Sequence, residues 1–442
     1  MKRFVDILNI TRLAGFAIGY GLIGALIGGT LNRIMVADIG LPMSLVGLFF
    51  AVPMLVTPLR VWLGYRSDGF TILGKRREPY MIIGAVIVAA AVITTVLLTV
   101  NATATPLIIA AMVLAFMVYG FGRNLAHNTF QALLADKFSD YAKRRAITVY
   151  EVVTLLGLVM GAGALGKALE TYDAQQLITV AIGAVVIMFV LTLIATIGNE
   201  PPTRTENVQI AREIPFTEAL QKLALADKQV RLFFVIIMFT IVGTLAQDVV
   251  LEPFGALVLN MEVGDTTRLT SFWGMGVVVA MLISGLILVR YLGFANLLRI
   301  GLVVSAISFL GVIVTGLNGQ PEFFSQLVFL MGLGTGIAGA GMLSGFITYT
   351  TAARAGFLMG IWGIANMLGR TLGSLMGGTV VDVVYGFSAD HFIAYSVVFA
   401  IEIAMILIAL VMTFQLKPVE AAIDNKQQSL SLDNPLTASE TA

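Results

Sequence analysis

Residues 13–36 read LAGFAIGYGLIGALIGGTLNRIMV, a run of apolar and small residues whose polar exceptions are Thr30, Asn32 and Arg33. A helix rises about 1.5 Å per residue, so roughly 20 such residues cross the hydrocarbon core of a bilayer. The run is too long for the apolar region of a signal peptide and lacks a small-residue cleavage site. It is therefore predicted to be the first membrane span.

The composition of the whole chain also indicates that the protein is embedded in lipid. Of 442 residues, 58% are hydrophobic and 12% are charged, with a mean hydropathy of +0.93, whereas soluble domains carry roughly 25% charged residues. The chain has no cysteine, which excludes disulfides, thiolate catalysis and cysteine-ligated metals. The net charge of +1 gives no indication of nucleic-acid binding.

Eleven further apolar runs of about 20 residues follow, which predicts an all-α membrane protein with about 12 transmembrane helices. The predicted spans cover residues 13–36, 43–64, 79–100, 105–134, 146–168, 175–198, 231–258, 270–291, 294–316, 322–349, 355–380 and 391–415.

Lysine and arginine fall in alternate loops, and such loops are typically cytoplasmic. The opposite loops contain Lys167 and Arg268. The basic residues of the predicted cytoplasmic side are Lys2, Arg3, Arg12, Arg66, Lys75, Arg76, Arg77, Lys137, Lys143, Arg144, Arg145, Arg204, Arg212, Lys222, Lys228, Arg231, Arg290, Arg299, Arg354, Lys417 and Lys426. Both termini are therefore predicted to be cytoplasmic.

A long connection, residues 199–230, divides the spans into a half at 1–198 and a half at 231–416. Phe216, Leu220 and Leu223 share one helical face, which predicts an amphipathic helix on the membrane surface. The tail at 417–442 is rich in polar residues and is predicted to be disordered. Two six-helix halves joined by a cytoplasmic loop resemble the plan of the major facilitator superfamily, whose halves are duplicated.

The loop after the second span also resembles a signature of that superfamily, in which a glycine, an aspartate and a basic cluster latch one conformation. The predicted latch residues are Gly64, Arg66, Asp68, Arg76 and Arg77. The gap between Asp68 and the basic cluster is longer than in the usual pattern. A solvated basic loop is the alternative interpretation.

Charged residues inside the spans are candidate functional residues, because each costs several kcal/mol unless it is paired or wet. We predict a pigment or substrate cavity lined by Arg123, His127, Glu151, Asp248 and Arg370. Internal ion pairs are the alternative. Two other charged residues, Arg60 and Glu402, are predicted to snorkel or to pack at the periphery.

An outer gate is predicted from the alignment of the two halves. Placing Arg12 over Arg231 brings Arg33 to the position of Glu252, each about 21 residues beyond its arginine. Opposite charges at equal depth would offset the cost of burying either one alone. We therefore predict a gate of Asn32, Arg33 and Glu252 with a direct or water-bridged Arg33–Glu252 contact, and Asp248 as the reserve partner. The alternative is that each charged side chain snorkels separately to water.

His127 is a candidate ligand for the magnesium of a chlorin, since neutral imidazole is a common metal ligand. A simple hydrogen-bonded histidine is the alternative. No other metal site is predicted.

Several blocks resemble the PucC family, the bacteriochlorophyll delivery branch of the major facilitator superfamily. They are Gly29-Thr30-Leu31-Asn32-Arg33-Ile34-Met35, Pro58-Leu59-Arg60, Gly64-Tyr65-Arg66-Ser67-Asp68, Gln247-Asp248, Leu251-Glu252-Pro253-Phe254-Gly255, Thr266-Thr267-Arg268-Leu269, Arg354-Ala355-Gly356 and Gly360-Ile361-Trp362-Gly363. The resemblance covers most of the folded chain.

The resemblance implies a non-catalytic factor that handles or delivers (bacterio)chlorophyll and assists the assembly of light-harvesting antenna complexes. It also implies a photosynthetic inner membrane, cytoplasmic or intracytoplasmic, with antenna apoproteins as partners and chlorophyll-type pigment as the bound molecule. Two alternatives stay open. One is a proton-coupled transporter of a small solute, and the other is a structural subunit bound to a photosynthetic complex.

Overall fold

The computed structural model describes residues 2–57, 72, 74–101, 105–137, 140–200, 228–349 and 355–416. The predicted amphipathic helix and the predicted disordered tail lie outside the described residues. So do Arg60 and three of the latch residues, Gly64, Arg66 and Asp68.

The described residues are helical almost throughout, and we number the helices in chain order. They are α1 (Lys2–Ala25, continued by the π-helical turns Leu26–Leu31 and Ile34–Asp38), α2 (Met43–Leu55), α3 (Glu78–Val100), α4 (Pro106–Lys137), α5 (Asp140–Ala168), α6 (Ala174–Thr196), α7 (Lys228–Leu245 and Gln247–Leu257), α8 (Val263–Ile283 with the π-helical turn Ser284–Leu288), α9 (Val289–Asn318), α10 (Phe324–Tyr349), α11 (Ala355–Ser388) and α12 (His391–Thr413).

Nine helical stretches of the described residues are long and apolar enough to cross a membrane. One of them, Val263–Asn318, has 56 residues and would extend about 84 Å if straight, far beyond one crossing of about 30 Å. It contains two crossings, because the backbone leaves the helical region at Gly293 (φ 69°, ψ 167°). With α2 and α11, the described part of the chain forms twelve membrane helices, and the predicted fold class is confirmed.

Several observed helices extend beyond the predicted apolar runs. Helix α5 begins at Asp140 instead of 146, α8 at Val263 instead of 270, and α11 ends at Ser388 instead of 380. Helix ends can extend beyond the hydrocarbon into the polar interface, where hydropathy gives no signal.

The first six helices form the N-terminal half, in which α1 packs on α5 and α6, and α3 packs on α4 and α6. The last six form the C-terminal half, in which α7 packs on α11 and α12, and α10 packs on α8 and α9. Glycine permits the closest approaches. A Cβ added at Gly332 of α10 would lie 2.1 Å from the Trp273 carbonyl oxygen of α8, so these backbones touch directly.

The two halves meet where α1 passes into its π-helical turns, and we call this region the closed end. Here α2 packs on α11, and α5 packs on α8. A Cβ at Gly47 would lie 2.4 Å from the Ser374 carbonyl oxygen, and one at Gly166 would lie 2.6 Å from the Gly264 carbonyl oxygen. Under the orientation predicted from the sequence, the closed end is the non-cytoplasmic end.

Glu200 binds the N-terminal end of α3, on the side of the protein opposite the closed end. Its carboxylate accepts hydrogen bonds from the backbone N–H groups of Arg76 (2.6 Å) and Arg77 (3.0 Å). The Glu78 carboxylate accepts a hydrogen bond from the Glu200 N–H in return (3.1 Å). The described latch residues, Arg76 and Arg77, thus immediately precede a helix that Glu200 caps, an arrangement that satisfies otherwise unpaired N–H groups.

Candidate functional site

A cavity of about 350 Å³ lies between the halves, lined by α1, α2, α4 and α5 on one side and by α7, α8 and α11 on the other. The charged residues of its wall are Arg123, Glu151, Asp248, Glu252 and Arg370. The structure therefore brings four of the predicted cavity residues together, and adds Glu252, which was predicted for the gate.

The wall is also aromatic and apolar. Phe50, Phe116, Tyr119 and Trp273 contribute rings, and Pro53, Met54, Leu155, Leu158 and Leu251 contribute aliphatic surface. A site of this volume with apolar walls and a few convergent polar groups is the usual form of a small-molecule site. The sequence analysis missed these aromatic residues, because an aromatic side chain in a membrane span gives no signal that separates cavity from lipid.

Asp248 and Arg370 form an ion pair across the C-terminal half. The Arg370 Nη1 lies 3.3 Å from Asp248 Oδ2, and the Gln247 side-chain amide donates to Asp248 Oδ1 at 3.0 Å. Both charged side chains are partly exposed to the cavity, at 40% and 34%. The pair leaves part of each charge available to a bound molecule.

Glu252 is more buried than Asp248, and its hydrogen-bond partners are neutral groups. Thr270 Oγ1 donates to its Oε1 at 2.8 Å, and the Asn32 amide lies 3.4 Å from its Oε2. Gly29 makes room for this contact, since a Cβ there would lie 2.8 Å from Thr270 Oγ1. Among the described residues, no lysine or arginine lies within ion-pair distance of Glu252.

The first helix of each half is irregular beside the cavity. Helix α1 changes to a π-helical turn at Leu26–Leu31. In α7 the backbone stays helical at Ala246 (φ −64°, ψ −30°), but the Val249 N–H bonds to the Ala246 carbonyl oxygen three residues back, at 3.2 Å. Cavity residues lie at both places, Ile27 and Gly28 on α1 and Gln247 and Asp248 on α7. Single π-turns frequently occur at functional sites.

The direct form of the predicted Arg33–Glu252 contact is not formed, and a water-bridged contact stays a prediction. Arg33 pairs with Asp38 instead and donates to the Met261 carbonyl oxygen at 3.3 Å. The reason is the second π-helical turn, Ile34–Asp38, because an i→i+5 helix places residues five apart above each other. Asn32 is the residue that crosses to α7, donating to the Val249 carbonyl oxygen at 2.9 Å.

His127 is not part of the cavity wall described above. Its Nδ1 is hydrogen-bonded to the Tyr150 hydroxyl, and its ring packs edge-on against Phe16 (centroids 5.5 Å apart) and Tyr20 (4.7 Å). This packing favours a hydrogen-bonded structural histidine, the alternative that the sequence left open. Its assignment as a magnesium ligand stays a prediction.

Asp382 of α11 caps the first turn of α2 across the interface between the halves. Its Oδ1 accepts from the Met43 N–H at 2.9 Å, and its Oδ2 accepts from the Ser44 N–H at 2.7 Å. The residue before α2 is Pro42, whose side chain gives no cap. The sequence analysis missed Asp382, because a cap supplied from 338 positions away leaves no local pattern.

Removing this cap is expected to loosen the closed end. Loss of a carboxylate cap costs about 0.5–2 kcal/mol, so Asp382→Ala should raise the opening equilibrium roughly 2- to 30-fold. The measurement is the rate at which a single cysteine at the buried Thr30 position reacts with a maleimide. The control is Asp390→Ala, which removes a cap of α12 from its own half. Equal labelling rates for the two variants would contradict a role between the halves.

Solved structures support the fold. A mutant of the nucleoside transporter NupG matches with a TM-score of 0.74 at 16% identity, covering 93% of this chain and 100% of that one. A D-xylose-proton symporter matches with a TM-score of 0.65 at 16% identity, covering 94% and 98%. At these identities the likeness shows the shared transporter fold, that of the major facilitator superfamily.

Relatives in sequence are more specific. The chain is 30% identical to a Rhodobacter capsulatus protein named "Uncharacterized protein in puhA-bchM intergenic region", over 91% of this chain and 87% of that one. It is 29% identical to Protein PucC of the same organism, over 92% and 91%, and 28% identical to a protein named "Bacteriochlorophyll synthase 44.5 kDa chain", also from Rhodobacter capsulatus, over 92% and 94%. The family model described as PUCC protein matches residues 30–421. This multi-pass membrane protein belongs to the PucC family.

Proposed function

We propose that this chain is a non-enzymatic membrane factor that handles or delivers a (bacterio)chlorophyll-type pigment and assists the assembly of light-harvesting antenna complexes. The observation that supports it is the cavity between the halves of a PucC family member, whose wall combines aromatic rings with an ion pair. The name of one relative refers to bacteriochlorophyll synthase. That name describes the relative, and the proposal includes no catalytic step.

The chemistry of the wall suits an amphiphilic molecule with a flat ring system. Aromatic residues such as Phe116 and Trp273 can pack against a macrocycle in offset or edge-on geometry. The Arg370 guanidinium and the Gln247 amide can donate hydrogen bonds to its carbonyl groups. A chlorophyll-type pigment combines these features, and its hydrocarbon tail would extend into lipid.

The proposal places the protein in a photosynthetic inner membrane with both termini in the cytoplasm. Antenna apoproteins are its proposed partners, since they receive the pigment. Residues Arg123 and Glu151, on the N-terminal side of the cavity, would face the bound molecule opposite the Arg370–Asp248 pair.

Filling the cavity is expected to reduce pigment binding several-fold. Gly28 lines the cavity, and a Cβ added there meets no atom within 4 Å, so Gly28→Leu should occupy the space without disturbing the fold. Pigment is measured from the absorption spectrum of protein purified in mild detergent from a pigment-producing host. Gly183→Leu is the matched control, because Gly183 is also free of contacts but lies on an exposed face of α6.

Equal pigment content in the two leucine variants would exclude the cavity as the pigment site. Absence of pigment from the unaltered protein, together with retained antenna subunits, would favour the structural-subunit alternative.

A proton-coupled transporter is the second candidate, and Glu252 is the observation that favours it. A buried carboxyl group with neutral partners can bind and release a proton without breaking an ion pair. Glu252→Gln should then abolish proton-driven solute uptake into proteoliposomes. Under the pigment proposal, the same variant should retain its pigment.

A further inference from the structure

Glu402 lies in the interior of the C-terminal half. Its relative exposure is 0%, and neither of its carboxyl oxygens has a hydrogen-bond partner among the described residues. The predicted snorkelling or peripheral position is therefore wrong. Hydropathy could not show this, because α12 is apolar on all faces, and such a helix gives no periodic signal for its buried side.

The contact between α12 and α7 is tight beside Glu402. A Cβ added at Gly243 of α7 would lie 3.1 Å from the Glu402 carbonyl oxygen and 2.9 Å from Ile406 Cγ1. One turn further along α7 is Ala246, whose carbonyl oxygen accepts a tighter i→i−3 hydrogen bond from the Val249 N–H at 3.2 Å. The Gln247 backbone N–H lies near the Glu402 carboxyl group without reaching hydrogen-bond geometry, and the nearby Asp248 carboxylate carries the same sign of charge as an ionised Glu402.

Gln247 and Asp248 connect this interior position to the cavity, since both line its wall. The Gln247 side-chain oxygen is itself buried without a partner among the described residues. This part of α7 thus has the cavity on one side and Glu402 on the other, with two buried acceptor groups that lack a donor among the described residues. A proton on Glu402 would convert one of these acceptors into a donor.

Among the residues that the structure describes, the charged groups on the surrounding helices give Glu402 no counterion. On α7, Asp248 and Glu252 are acidic. On α11, Arg370 is paired with Asp248. On α9, Arg299 is bonded to Thr413 of α12, which is about 16 Å along the helix from Glu402.

An ionised carboxylate buried without a counterion or hydrogen bonds is far more costly than a neutral carboxylic acid. We propose that Glu402 is a proton-binding site, occupied by a proton when α7 and α12 are packed as here and released when this contact opens. The site would couple protonation to movement of α7, the helix that carries Asp248 and Glu252 into the cavity. It does not depend on which molecule the cavity binds.

Infrared spectroscopy of the full-length protein in lipid nanodiscs tests the proposal at neutral pH. The spectrum of the unaltered protein minus that of Glu402→Gln should contain one C=O band of a protonated carboxyl group that shifts in D₂O. Glu170→Gln is the control, because the Glu170 side chain is 74% exposed and its removal should take away a carboxylate band instead. A carboxylate band, or no band, in the Glu402→Gln difference spectrum would overturn the proposal.

A second variant keeps the test decisive if Glu402→Gln does not fold. Glu402→Asp keeps the acid with a shorter side chain, so the protonated band should change frequency without disappearing. An unchanged spectrum would show that the band has another source.

The release step has its own measurement. Gly243→Ala pushes α12 away from α7 at Glu402, so the band should exchange to its deuterated form faster than in the unaltered protein. Gly386→Ala is the control, because a Cβ at Gly386 of α11 meets no atom within 4 Å. Equal exchange rates in the two alanine variants would overturn the coupling to the α7–α12 contact.

Discussion

Replacing Thr30 and Thr267 together by cysteine is expected to produce a disulfide that locks the closed end. The two hydroxyl oxygens lie 3.3 Å apart across the interface between α1 and α8, and both residues are fully buried. A disulfide needs two sulfur atoms about 2.05 Å apart, which the cysteine side chains can reach by small rotations. The chain has no native cysteine, so no competing thiol complicates the result.

The crosslink is measured after inserting a protease site into the connection at 201–227, where cleavage separates the two halves. The cleaved halves should migrate together under oxidising conditions and separately after reduction. Each single-cysteine variant is the control and should always separate.

Under the proposed function, the locked protein should lose its activity in antenna assembly completely and recover it on reduction, if that function uses the rocking of the halves by which transporters of this fold work. Full activity of the oxidised protein would show that this end does not need to open. Failure to crosslink would show that the two threonines are not adjacent in the membrane.

Gly332→Ala is expected to prevent normal folding of the C-terminal half. The added Cβ would lie 2.1 Å from the Trp273 carbonyl oxygen and 2.9 Å from its carbon. Overpacking costs about 1–3 kcal/mol when side chains can adjust. Here the obstacle is backbone, so we expect a cost of about 3 kcal/mol or more, a large part of a typical stability of about 5–15 kcal/mol.

Gly339→Ala on the same helix is the matched control, since a Cβ there meets no atom within 4 Å. We expect normal yield and thermal midpoint for Gly339→Ala, and a strongly reduced yield of monodisperse protein for Gly332→Ala. Similar yields for both would mean that α8 and α10 are less closely packed than described.

The fold could be predicted from the sequence because the bilayer constrains it strongly. A span such as 79–100 is recognised from length and hydropathy alone, and the same run forms α3 at Glu78–Val100. The cavity residues Asp248 and Arg370 could be selected because charges in spans are costly and therefore rare. Their pairing with each other could not be predicted, since it depends on how α7 and α11 pack.

The contacts of the predicted gate residues could be predicted from the sequence only in part. Equal depth for Arg33 and Glu252 was inferred from the alignment of the halves, and Asn32 does contact Glu252. The pairing of Arg33 with Asp38 could not be predicted, because no residue in Ile34–Asp38 indicates a π-helical turn. In this turn the backbone hydrogen bonds join residues five positions apart instead of four. This spacing places Asp38 beside Arg33.

The cap that Asp382 places on α2 also determines the order of events during biosynthesis. Helix α2 leaves the ribosome hundreds of residues before Asp382 is synthesised. Asn32 is likewise synthesised long before its partner Val249. During translation of the second half, the Met43 and Ser44 N–H groups must be hydrated at the membrane surface. Docking of the two halves removes this water, so the cap on α2 can form only after α11 has been synthesised.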